Sequence, residues 1–125
     1  MLLCMHIIFF PQDKAIETGR PWTFGKGFDT ACPVSRFVSL DEVKDPGNVN
    51  IWCKVNGKEV QNANTSDLAF SIPEMIAHIT KYITLEPDDL ILTGSPPGIG
   101  PVYPGDIIDA GLADILTMRF PVKSA

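Results

Sequence analysis

The dipeptide Asn56-Gly57 constrains the fold of this chain more than any other feature. A two-residue turn that matches the twist of antiparallel strands needs positive φ at both central positions, which Asn and Gly adopt at least steric cost. On its N-terminal side Val49, Ile51, Cys53 and Val55 fall on one face of an extended segment, and Lys58 to Gln61 continues beyond the turn as a polar strand. The spacing predicts a β-hairpin over residues 49–61.

Around that hairpin the chain is punctuated rather than repetitive. Residues 11–19 predict a short helix that starts at Pro11 and is capped by Gly19. In Pro21 to Thr30, aromatics at 22, 24 and 28 alternate about Lys26, which predicts a strand with Lys26 beside Phe24 and Phe28. A lysine so placed either snorkels to water or is a partly buried ammonium, whose pKa falls with burial. Residues 31–40 predict irregular chain running into a strand, 41–48 a solvated loop, and 62–67 a polar loop. Ser71-Ile72-Pro73-Glu74 forms a capping box, and Met75, Ile76, Ile79, Tyr82 and Ile83 recur at helical spacing up to Glu86. His78 lies off that stripe, as a surface or packing histidine. Leu90-Ile91-Leu92 predicts an apolar strand that stops in the Gly/Pro loop Thr93 to Pro101. Such a loop is either a plain turn or a place where a scaffold presents polar groups to a small molecule. Ile107 to Ala110 and Leu116 to Val122 predict two more strands, joined through Gly111. About six strands and two helices that do not alternate regularly make the class β-rich α+β.

The formal charge of −5, with Lys and Arg scattered, offers no basic patch for nucleic acid or an anionic membrane, and favours small-molecule or protein partners. Cys4, Cys32 and Cys53 fit neither a zinc pattern nor a secreted disulfide framework. The apolar segment 1–10 lacks the basic start and cleavage site of a signal peptide, and is far short of the ~20 residues of a membrane helix. It is expected to be a buried strand or an atypical tail. Phosphate loops, dinucleotide fingerprints and nucleophile elbows are missing from the sequence. A lysine and a loop hydroxyl remain, which by themselves support binding of a small anion.

Pro21-Trp22-Thr23-Phe24-Gly25-Lys26-Gly27-Phe28-Asp29-Thr30, Val55-Asn56-Gly57, Gln61, Thr65, Phe70-Ser71-Ile72-Pro73, Leu90 to Pro96 and Gly98-Ile99-Gly100 resemble, in order and spacing, the C-terminal half of the fumarylacetoacetate hydrolase family. The match runs over roughly residues 11–123 and is best with its acylpyruvase and oxaloacetate decarboxylase branch. The resemblance implies part of a mixed β-sandwich or β-roll with two short helices, residues 11–125 being the C-terminal part of one catalytic domain behind the atypical segment 1–10. It implies C–C cleavage of acylpyruvates or decarboxylation of oxaloacetate, with Mg²⁺ or Mn²⁺, in a homodimer of mitochondria or cytoplasm. Lys26 then holds substrate oxygens and stabilises developing negative charge. Gln12 orders substrate or water, Thr30 lies near a cation, and Ser95, with Gly94 and Pro96, binds the substrate carboxylate.

One departure from the family bears on this. Its metal-holding E-x-E glutamates and aspartate precede the helix that carries Gln12, and residues 1–10 contain no acidic side chain. The family's lid His-Glu pair lies further upstream still. No metal ligand is therefore assigned in this chain, and the cation is not expected to bind it alone. The chain is expected to be an N-terminally truncated enzyme of this family or, alternatively, a non-catalytic fragment or pseudoenzyme used for binding or dimerisation.

Overall fold

The computed structural model describes residues 15–21 and 23–124. The hairpin forms where the Asn-Gly turn predicts it. Strand β1 (Asn50–Val55) pairs antiparallel with β2 (Lys58–Asn64), and Asn56 and Gly57 between them have φ of 51° and 78°. The side chain of Asn56 does further work: Nδ2 donates to Asp106 Oδ1 at 2.8 Å, and its Oδ1 accepts from Ile107 N at 2.9 Å. The turn is thereby tied to the start of β3 (Ile107–Leu112). β3 pairs antiparallel with β1 and with β4 (Leu116–Pro121), giving one four-stranded sheet in the order β2-β1-β3-β4.

The core lies under this sheet. Val38, Val43, Val49, Ala110 and Leu112 are buried together, with Ile51, Leu116 and Met118 packed against them. The 41–48 loop is thus only partly solvated, because Val43 turns inward. Its fold is held by Thr65, whose Oγ1 accepts from Val49 N at 2.9 Å and donates to Pro46 O at 2.8 Å. On the outer side, Arg36 forks onto both carboxylate oxygens of Glu42 at 3.0 and 2.7 Å.

Helix α1 (Thr23–Lys26) stands where a strand is predicted. Gly25 and Gly27 offer little surface to pack in a sheet, and Phe24 and Phe28 are also one helical turn apart. Gly27 N donates to Thr23 O at 2.6 Å, closing the turn. Ahead of it, residues 15–17 are helical and Gly19 ends the turn with φ of 61°, as the C-cap reading requires. Residues 31–40 hold only an isolated bridge at Val34, and β2 runs on through Asn64 into a 3₁₀ turn at Thr65–Asp67.

Helix α2 (Ile72–Ile79) has the predicted capping box, with Ser71 N donating to Glu74 Oε2 at 2.8 Å. It is shorter than its apolar stripe, since Thr80 caps it with its hydroxyl on Ile76 O at 3.0 Å. Residues 90–92 are not a strand. An apolar run becomes one only when a neighbour takes up its N–H and C=O groups, and no strand pairs with it among the described residues. Gly111 lies within β3 rather than at its end, the β3–β4 turn being made at Ala113 with φ of 46°. With these changes the β-rich α+β class stands, with four strands among the described residues where about six are predicted.

Candidate functional site

The loop after Leu92 presents Ser95 to solvent, and among the described residues no hydrogen bond engages its hydroxyl. Gly94 precedes it with φ of 106°, a conformation that L side chains rarely adopt, and the space where its Cβ would stand is open. A ligand can therefore approach the backbone there closely. Past Ser95 the chain is anchored: Gln61 Nε2 on β2 donates to Pro96 O at 2.8 Å. Gly98, with φ of 97°, sits against the same strand, where a Cβ would overlap the carbonyl oxygen of Val60 and lie 2.9 Å from its carbon.

Lys26 is the last residue of α1 and is half-buried; burial lowers its pKa from the ordinary lysine value. Four residues on, Thr30 has φ of 71°. A β-branched residue in that region is a genuine conformational outlier, and such outliers gather at functional turns. No hydrogen bond or ion pair joins Lys26 or Thr30 to the 94–98 loop among the described residues. Gln12 lies outside the described residues.

A separate cavity of about 670 Å³ is walled by Phe70, Met75, His78, Ile79, Ile91 and Leu92 and includes neither Lys26 nor Ser95. Glu74 and Lys81 also line it, but most of its surface is apolar. The pairing of Gln61 with Pro96 is a contact that sequence reading passes over. Gln61 stands among the residues of the resemblance with no role attached, and a 35-residue separation carries no local signal.

Among the described residues no three His, Cys, Asp or Glu side chains gather closely enough to hold a divalent cation. Hard cations need several oxygen ligands in a fixed array.

Residues 9–123 match the family described as "Fumarylacetoacetate (FAA) hydrolase C-terminal". The chain is 46% identical over 112 residues to "Oxaloacetate tautomerase FAHD1, mitochondrial" of Homo sapiens, covering 90% of this chain and 51% of that protein. It is 47% identical over 112 residues to "Oxaloacetate decarboxylase, mitochondrial" of Dictyostelium discoideum, covering 89% and 51%. Among solved structures it resembles yeast ynq8, a fumarylacetoacetate hydrolase family protein, with a TM-score of 0.83 and 35% identity over 90% of this chain and 51% of that one. It also resembles maleylpyruvate hydrolase from Sphingobium sp. SYK-6 in complex with manganese (II) ion and pyruvate, with a TM-score of 0.76 and 40% identity over 80% and 38%. The chain thus spans about half the length of the curated relatives it matches.

Proposed function

Because this chain belongs to the fumarylacetoacetate hydrolase family, we propose that it binds a small 2-oxo acid of the oxaloacetate or acylpyruvate type and serves chemistry that passes through its enolate. Tautomerisation and decarboxylation of oxaloacetate and hydrolysis of a 2,4-dioxo acid all place negative charge on the C2 carbonyl oxygen, which becomes the enolate oxygen. An ammonium or a positioned donor at that oxygen lowers the barrier to each.

The carrying observation is the 94–98 loop: a hydroxyl without a partner among the described residues at Ser95, beside an open approach at Gly94, on a segment anchored to the sheet. We assign one substrate carboxylate oxygen to the Ser95 hydroxyl, with Gly94 and Pro96 as the backbone walls. Lys26 holds the substrate oxygens where charge develops, and its partial burial supports that role. Gln12 orders substrate or water. Thr30 takes the position near a cation. A divalent ion would supply Lewis acidity to such a reaction. The described residues do not form a site for it.

The names of the relatives weigh against a purely non-catalytic module, since each is named for an enzyme. Mitochondrial relatives support a mitochondrial rather than a cytoplasmic compartment, and we extend the homodimer to this chain as part of the same proposal. Among the described residues no helix is long and apolar enough to cross a membrane.

The test is titration of the protein with pyruvate and oxaloacetate, followed by NMR and by enol absorbance, with and without Mn²⁺. Ser95→Ala is expected to weaken binding about ten- to a hundredfold, the scale of one charge-assisted hydrogen bond. Lys26→Ala is expected to remove any turnover. Binding that neither substitution disturbs would sink the assignment.

A further inference from the structure

We propose that a β-bulge at Val60 and the amide of Gln61 hold the 94–98 loop in the shape that receives a carboxylate, which makes Gln61 a positioning residue for Ser95; this rests on the carboxylate-binding reading of that loop. The register of the hairpin carries the first step. Cys53 pairs with Gln61 but Lys54 with Glu59, so Val60 is an extra residue on β2. A bulge bends its strand and re-aims the neighbouring side chains, and bulges are over-represented beside functional sites. Among the described residues β2 is an edge strand, so a segment outside the sheet can reach it.

Two contacts then converge on the bulge. Gln61 Nε2 donates to Pro96 O at 2.8 Å. Two residues later Gly98 lies so close to the Val60 carbonyl that a Cβ would overlap its oxygen and stand 3.2 Å from Gln61 Cγ. Consecutive residues of β2 therefore grip Pro96 and Gly98, and the ring of Pro97 fixes φ between them. Ser95 is bonded directly to this clamped segment, with Gly94 as the one conformationally free joint on its other side.

A donor held in place binds a small carboxylate more tightly than one on a loose loop, because less freedom is lost on binding. A loop that merely shielded an edge strand would need no directed hydrogen bond to one carbonyl. The ligand class is the carboxylate of a small 2-oxo acid.

The experiment uses the 125-residue chain and its variants Gln61→Met, which keeps length and loses the donor, Gln61→Lys, which keeps a donor, Gly98→Ala and Ser95→Ala. Pyruvate affinity is read by NMR titration, and backbone order at Gly94, Ser95 and Gly98 by ¹⁵N heteronuclear NOE. Gln61→Met is expected to lower the NOE at these residues and to weaken pyruvate about fivefold, with Gln61→Lys restoring most of both. Gly98→Ala, acting at the other end of the clamp, is expected to loosen the same residues, and it serves if Gln61→Met does not fold. The inference is overturned if loop order is unchanged in Gln61→Met and Gly98→Ala. It is equally overturned if the loop loosens and affinity holds while Ser95→Ala weakens pyruvate. Should Ser95→Ala leave pyruvate binding intact, the carboxylate reading itself falls and takes the role of Gln61 with it.

Discussion

Trp52 fills the space that a side chain on Gly111 would occupy. The two are register partners across β1 and β3, and a Cβ on Gly111 would overlap Cε2 and Cζ2 of the indole. Nε1 of the same ring donates to Ala113 O at 3.0 Å, and Lys54 Nζ stands 5.1 Å from the ring centroid. One aromatic side chain thus joins the middle of the sheet to the β3–β4 turn. Gly111→Ala is expected to destabilise the protein by about 1–3 kcal/mol, the usual cost of overpacking a filled position. Urea unfolding followed by tryptophan fluorescence measures it. An unchanged midpoint would mean that the indole moves aside freely.

That contact also marks where sequence reading stops. An isolated glycine in a strand pattern signals a close approach without naming what approaches, and from the sequence Gly111 passes for a joint between strands. Features that depend on neighbours in the chain were legible: the Asn56-Gly57 turn, the Ser71–Glu74 cap and the Gly19 stop. Features that need a distant partner were not. Leu90 to Leu92 has a strand's composition and no ladder beside it among the described residues. The alternation around Lys26 obeys period two and folds as a helical turn instead. For the candidate site, the residue types at 26 and 95 could be picked out by resemblance. The hold of Gln61 on Pro96 could not, because it depends on a bulge and on chain 35 residues away.

Glu42 should govern part of the acid response. The Arg36 guanidinium, with a further hydrogen bond from Ser39 N at 3.2 Å, holds its carboxyl down to about 2. A depressed folded-state pKa contributes stability that is complete above the ordinary carboxylate range and is lost as pH falls through the depressed value. The window is therefore about pH 4.5 to 2. Both groups are exposed, so the effect is small and screened by salt. Glu42→Gln is expected to lower Tm slightly at pH 6 and to leave it nearly unchanged near pH 2. A Tm difference that persists at pH 2 would show that the fork acts through packing rather than charge.

Cys32 and Cys53 should differ sharply toward thiol reagents. Cys32 is exposed, whereas Cys53 is buried on β1 and its thiol is pushed up, first by burial and then by Asp109. Because the thiolate is the reacting form, both accessibility and pKa slow Cys53. Alkylation with iodoacetamide at pH 7.5, mapped by mass spectrometry, is expected to label Cys32 at least tenfold faster. Cys53 should become reactive only when urea unfolds the sheet. Comparable native rates at the two sites would contradict the burial of β1's inner face.

In the role proposed for it, Lys26 sets stability against function. Its pKa is lowered by burial, so the folded protein holds this proton less firmly than the unfolded chain does. Between the lowered pKa and the ordinary lysine value of about 10.5, the unfolded state binds more protons and stability rises with pH. Below that window, at neutral pH, the charged lysine is a standing cost. Lys26→Met keeps the aliphatic stem and removes the charge, so it is expected to raise Tm modestly at pH 7 and to lose that advantage above pH 10. The same variant is expected to abolish any oxaloacetate turnover, because no ammonium then meets the enolate oxygen. A Tm that falls at pH 7 would mean that the ammonium is held by favourable contacts and the half-buried position is not strained. A rise in Tm together with loss of turnover is the pattern of a residue kept for chemistry against the interest of the fold.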